Sequence, residues 1–141
     1  MKELFDDMPN MLTNLKQSTY EKNMERFIQR NGSYFDAITT SVEQAEDRDE
    51  AGKQVADRFV TAVEEKYSKN GKISGRLQVD LNLFMIYYVF PAILETKKSC
   101  ASLVADTLCA EWSKRISHRA IGYTTYEQLC GSFQEKIFGI F

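Results

Sequence analysis

The sequence predicts an all-α fold: a single-domain bundle of five to six helices packed around a central helix at about residues 77–95. Three observations predict it. From Leu81 to Leu94 only Asn82 breaks an apolar or aromatic run. Drawn as a helix, this stretch has Leu77, Leu81, Phe84, Tyr88 and Ala92 on one face and Val79, Leu83, Ile86, Phe90 and Ile93 on the other, and a soluble helix that is apolar all round must be covered all round. The flanking chain holds apolar residues at helical spacing among Glu, Lys, Gln and Ala, with only two prolines. Finally, 141 residues, 43% hydrophobic and 27% charged, suit one globular domain with a core of its own.

Two other readings of the central stretch are weaker. The run covers roughly 21 Å as a helix, short of the ~30 Å of a bilayer core. Asp80 and Glu95 bracket it, with Arg76 and Lys97 just outside. A buried strand suits Val79 and the run Ile86–Phe90, but the segment is long for a strand and has no partner of similar character. Pro91 is compatible with a helix that kinks near Tyr87, because it removes one donor and clashes with the carbonyl four residues earlier.

The elements follow in order. Residues 1–17 place Leu4, Phe5, Met8, Met11, Leu12 and Leu15 at helical spacing, interrupted by Pro9 and by Asn10, a candidate N-cap. They read as a turn followed by helix, or as a loosely docked N-terminal arm. Ser18-Thr19-Tyr20-Glu21 is a capping box, which predicts a helix to about Arg30 burying Tyr20, Met24, Phe27 and Ile28. Asn31-Gly32 is expected to stop it. Ser33 then starts a helix carrying Tyr34, Phe35, Ile38 and Val42. The charged run Glu43–Glu50 reads as a solvated helix end and turn.

Asp47 or Asp49 starts the next helix, with Val55, Phe59, Ala62, Val63 and Tyr67 as its buried stripe, and Asn70-Gly71 is expected to end it. Lys72–Arg76 is a basic turn into the central helix. After Thr96-Lys97-Lys98, a helix beginning near Ser99 carries Leu103, Val104, Leu108, Trp112 and Ile116. Thr124-Thr125-Tyr126-Glu127 repeats the capping-box pattern and predicts a last helix using Tyr126, Leu129, Cys130, Phe133 and Ile137. The segment Ile137-Phe138-Gly139-Ile140-Phe141 is too apolar to be left in water and is expected to dock on the core or on a second subunit.

Charge argues against a bulk nucleic-acid footprint, since the formal net charge is −2. Residues 1–70 hold 10 Lys and Arg against 14 Asp and Glu, and residues 71–141 hold 8 against 6, a mild asymmetry. Three cysteines (Cys100, Cys109 and Cys130) with no CxxC fit reduced thiols. Cys100 and Cys109 fall on opposite sides of one helix, so a disulfide between them would break it. The acidic start MKELFDDMPNM does not resemble a secretory signal, and the cytoplasm is the expected compartment.

Catalytic patterns are scarce. The one histidine, His118, lies among Lys114, Arg115 and Arg119, where positive neighbours disfavour its protonated form. No Glu-x-x-His pair occurs for a di-metal site, and the acids of 43–50 lack the order of a calcium loop. No Gly-rich phosphate loop is present. The residues therefore imply no catalytic group, no metal and no cofactor.

The expected function is a non-enzymatic protein–protein interaction or accessory module that self-associates, most simply as a homodimer, with Ile137, Phe138, Ile140 and Phe141 as the associating residues. The runner-up is a small apolar ligand held in the bundle core by Phe84, Tyr87, Tyr88 and Trp112. Weaker alternatives are an enzyme pairing Cys109 or Cys130 with His118, and single-stranded nucleic acid stacked on Trp112 beside its basic neighbours. No membrane role is expected.

Overall fold

A computed structural model describes residues 2–13 and 17–116 of the chain. Among these residues the protein is an all-α bundle of five helices: α1 (Met8–Thr13), α2 (Gln17–Glu43), α3 (Arg48–Tyr67), α4 (Gly75–Glu95) and α5 (Ala101–Arg115). A 3₁₀ turn at Lys2–Phe5 precedes them. The helix expected at 124–137 lies outside the described residues.

The central segment is α4, and its coverage follows from its composition. Leu81, Phe84, Met85, Tyr88, Val89 and Ile93 are wholly buried. α1 and α2 cover one side. Phe84 meets Phe5 at 5.2 Å between ring centroids and Phe27 edge-on at 5.4 Å. α5 covers another side, where the Trp112 indole N–H donates to Asn82 Oδ1 at 2.7 Å. Asn82, the one polar break in the apolar run, thus supplies the acceptor that the buried indole requires. By length and composition alone α4 could cross a membrane, yet most of it is buried within the bundle.

Pro91 leaves its mark one turn upstream. Residues Met85–Val89 form a π-turn, and the Phe90 N–H donates to the Met85 carbonyl. Proline has no N–H for the Tyr87 carbonyl four residues back. The Tyr20 hydroxyl of α2 donates to that carbonyl instead, at 2.6 Å. The expected disturbance near Tyr87 is therefore a local widening satisfied from a neighbouring helix.

Several boundaries differ from the sequence reading. α2 is one helix of 27 residues and runs straight through Asn31-Gly32. The Asn31 side chain donates to the Phe27 carbonyl at 3.1 Å rather than ending the helix. Phe27 and Phe35, on either side of Gly32, are both buried with rings 5.8 Å apart. Burying both against α4 outweighs the ~1 kcal/mol that glycine costs inside a helix. Ser18 lies inside the first turn of α2 rather than capping it.

Asn10 likewise does not cap α1. Pro9 occupies the first turn, where a missing N–H costs nothing because those amides have no helical acceptor. The N-terminal segment takes the turn-plus-helix form. Leu4, Phe5, Met8 and Met11 are buried, the Tyr88 hydroxyl donates to the Met11 carbonyl at 2.9 Å, and Asp7 pairs with Arg30.

α3 starts as expected at Asp47, whose side chain accepts from the Glu50 N–H at 3.1 Å. Its buried stripe is Gly52, Ala56, Phe59, Val60 and Val63, while Val55 and Ala62 are half-buried. Small residues at 52 and 56 let α5 approach closely: a Cβ on Gly52 would stand 3.4 Å from Thr107 Oγ1. α3 ends at Tyr67 with Ser68 as its cap, before the Asn70-Gly71 pair expected to stop it; Lys69 and Lys72 then exchange backbone hydrogen bonds of 2.8 and 3.1 Å around Asn70 (φ 54°) and Gly71 (φ 76°). Two positive φ values in a two-residue turn define the type I′ geometry that Asn-Gly favours. Ser74 then caps α4, accepting from the Leu77 N–H at 3.3 Å.

Candidate functional site: the open end of the central helix

The residues expected to line a ligand pocket divide between two sides of α4. Phe84 and Tyr88 stack at 5.4 Å among Phe5, Phe27 and Tyr20. Tyr87 turns its ring edge to Tyr20 at 5.9 Å. Burial pushes the Tyr87 phenol up to about 12, and the same cause raises Tyr88. Trp112 stands across the helix, 6.5 Å from Phe59 and bonded to Asn82. Tyr87 and Tyr88 thus both pack on Tyr20, while Trp112 packs on Phe59 and Asn82 from α5.

Trp112 is fully buried and offers no exposed face for base stacking. Of its basic neighbours, Arg115 is engaged elsewhere. Its guanidinium meets Asp57 at 2.7 Å, Glu111 at 3.2 Å, Thr61 Oγ1 at 2.8 Å, and Glu64. Burial opposes its charge, but hydrogen bonds to Glu64, Glu111 and Asp57 outweigh that and hold its pKa above the ordinary value. Arg115 therefore joins α5 to α3. Cys100 and Cys109 are buried thiols that form no disulfide with each other. Burial pushes the Cys109 thiol up to about 11, opposite to the shift that activates a nucleophile. Among the described residues, no three His, Cys, Asp or Glu side chains come together as a metal site. His118, Arg119, Cys130, Ile137, Phe138, Ile140 and Phe141 lie outside the described residues.

The acids of 43–50 hold more structure than a solvated rim would. Asp47 caps α3, and Glu43 accepts from the Ser99 N–H at 3.1 Å and from Ser99 Oγ at 2.7 Å. Those two bonds hold the Glu43 carboxyl below its usual range. They fasten the start of α5 to the end of α2.

What remains open is the N-terminal end of α4. Val79 is 54% exposed, the large apolar side chain most open to solvent among the described residues. Leu77, Leu83 and Ile73 nearby are only half-buried. A basic rim borders this apolar surface. From Lys66 to Val79 the chain has four basic residues and no acid, and Lys69, Lys72 and Arg76 are exposed. The type I′ turn stands between two half-open clefts. One, of about 350 Å³, is lined by Glu64, Ser68, Gly71, Lys72, Ile73, Gln78, Arg115 and Ile116. The other, of about 310 Å³, is lined by Tyr67, Lys69, Lys72, Ser74 and Leu77.

Sequence reasoning missed this surface. A helix apolar on every side does not show which of its apolar residues stays uncovered. The only available signal was the polarity of Arg76, Gln78 and Asp80 around Leu77 and Val79.

The fold and this surface define the class, an all-α helical bundle with an open apolar end and a basic rim. No family model, no curated protein and no solved structure matches the chain.

Proposed function

We propose that this protein is a non-enzymatic interaction module that self-associates as a homodimer through the open end of α4. The observation that carries the reading is Val79, 54% exposed on a helix that is otherwise largely enclosed. The exposed Val79, with half-buried Leu83 one turn on and exposed Arg76 one turn back, has the make-up of a protein interface: an apolar centre within a polar rim. The apolar stretch Ile137–Phe141 supplies further surface that must be covered. The chemistry of Cys109 points the same way, since its raised pKa speaks against nucleophilic catalysis.

Sedimentation equilibrium tests the reading on the full chain. The wild type should sediment at twice the chain mass. Val79→Asp places a charge on an already exposed position and should weaken the dimer at least tenfold while leaving the helical circular dichroism intact. Removing residues 137–141 should also weaken it. A wild type that stays monomeric at high concentration would sink the proposal.

A further inference from the structure

We propose that Asn70 is a site of spontaneous deamidation: its side-chain amide leaves as ammonia through a succinimide ring closed on the Gly71 nitrogen, and aspartate or isoaspartate remains in the turn between α3 and α4. The chain contains two Asn-Gly pairs, Asn31-Gly32 and Asn70-Gly71. Every other asparagine precedes Met or Leu, whose side chain crowds the nitrogen that must attack. Glycine leaves that nitrogen open and the backbone free to turn toward it.

By sequence the two pairs are equal candidates, and the fold separates them. Asn31 and Gly32 are half-buried in the middle of α2. The Asn31 side-chain amide donates to the Phe27 carbonyl at 3.1 Å, which ties it to the preceding turn. The Gly32 nitrogen belongs to the helical ladder and is directed at the carbonyl four residues back. Ring closure there requires α2 to open locally between Phe27 and Phe35, both of which are buried.

Asn70 and Gly71 are exposed. Lys69 and Lys72 exchange the two backbone bonds of the turn, and the Gly71 N–H is in neither. Apart from its chain neighbours, no atom lies within 4 Å of the place a Gly71 Cβ would occupy, so nothing shields the pair. Opening the turn costs two exposed hydrogen bonds instead of a packed helix. Lys69 and Lys72 are both exposed, and from Lys66 to Val79 there is no acid. Positive neighbours favour the deprotonated, anionic nitrogen that attacks.

The Gly71 nitrogen gives its proton to solvent hydroxide and forms a bond to Asn70 Cγ. The Cγ–Nδ2 bond breaks, and ammonia leaves with a proton from water. Water then opens the ring. Cleavage at Cγ restores the normal backbone with aspartate, and cleavage at the Asn70 backbone carbonyl leaves the chain running through the side chain as isoaspartate. No oxidant or reductant takes part. Either product sets a carboxylate between Lys69 and Lys72 and lowers the net charge of this basic stretch by one.

The test incubates the folded full chain in mildly alkaline buffer and follows both Asn-Gly peptides by mass, with electron-transfer fragmentation to tell aspartate from isoaspartate. Loss of ammonia at Asn70 should be roughly tenfold or more faster than at Asn31, since only the latter waits on opening of a packed helix. In concentrated urea the two rates should converge. Gly71→Ala should slow the reaction at position 70 and leave position 31 unchanged. If Asn70 and Asn31 react equally slowly in the folded protein, the turn protects its asparagine as well as the helix does and the proposal is overturned. A rate difference that persists unchanged in urea overturns the part assigned to the fold. Aspartate alone, with no isoaspartate and no effect of Gly71→Ala, would mean direct hydrolysis and overturn the ring route.

Discussion

At the scale of single residues, the structure repeatedly settles one anomaly with another. Asn82 is the lone polar side chain in the apolar run, and Trp112 is the one tryptophan; they bond at 2.7 Å. Pro91 removes a donor inside a helix, and Tyr20 returns one to the Tyr87 carbonyl at 2.6 Å. Each half was visible in the sequence, but the pairing was not, because the partners lie on different helices. The second pair gives a sharp expectation. Tyr20→Phe should cost about 1 kcal/mol, the net value of one hydrogen bond to a partly buried carbonyl. In a Pro91→Ala background, position 91 regains an N–H that can serve the same carbonyl, so the tyrosine change should cost much less. Urea denaturation of the four proteins gives the coupling directly. Equal losses in both backgrounds would show that the Tyr20 hydroxyl has no link to the missing proline donor.

At the scale of elements, the two Asn-Gly pairs read alike in the sequence and behave in opposite ways. Asn31-Gly32 lies inside α2, whereas Asn70-Gly71 forms a turn with both residues at positive φ. Local chemistry is the same in both. What differs is that Phe27 and Phe35 reach the core only if α2 continues, while Tyr67 and Leu77 are brought together only if the chain reverses. The type and approximate place of α3, α4 and α5 were legible because their apolar spacing extends over many turns. The exact ends were less so, since caps and tertiary contacts compete within about one turn. Glycine replacement separates the two cases. At Gly32 an added Cβ meets only Ile28 Cγ2, at 3.6 Å, an ordinary contact. Gly32→Ala should therefore raise stability by about 0.5–1 kcal/mol. At Gly71 there is open space, but φ is +76°. Gly71→Ala should lower stability by about 1 kcal/mol through backbone strain alone. Thermal melts of the two variants should shift in opposite directions; a loss at Gly32 would contradict the continuous helix.

At the scale of the whole molecule, the bundle is closed by long-range polar ties as well as by its core. The enclosure of α4 was legible from its all-round apolarity, but the ties were hidden because an acid in a charged run looks the same whether it is solvated or bonded. Glu43 is the example. It joins the end of α2 to Ser99 at the start of α5, across 56 residues of chain. Its two bonds to Ser99 lower its pKa from an ordinary 4.5, with Lys98 and Arg48 adding smaller contributions. The sign of the pH dependence follows. A carboxyl whose folded pKa lies below its unfolded one binds protons more weakly in the native state. Its stabilising contribution is then complete above the unfolded pKa and disappears as pH falls through the folded pKa. Glu43→Gln removes the titration. The stability gap between wild type and this variant should be largest at neutral pH, shrink as pH drops below about 4.5, and close in stronger acid. Ser99→Ala removes the hydroxyl donor and should move the Glu43 carboxyl back toward its ordinary pKa, which side-chain carboxyl NMR would read independently. A gap that stays constant from neutral pH into acid would mean that Glu43 contributes through packing rather than through its charge.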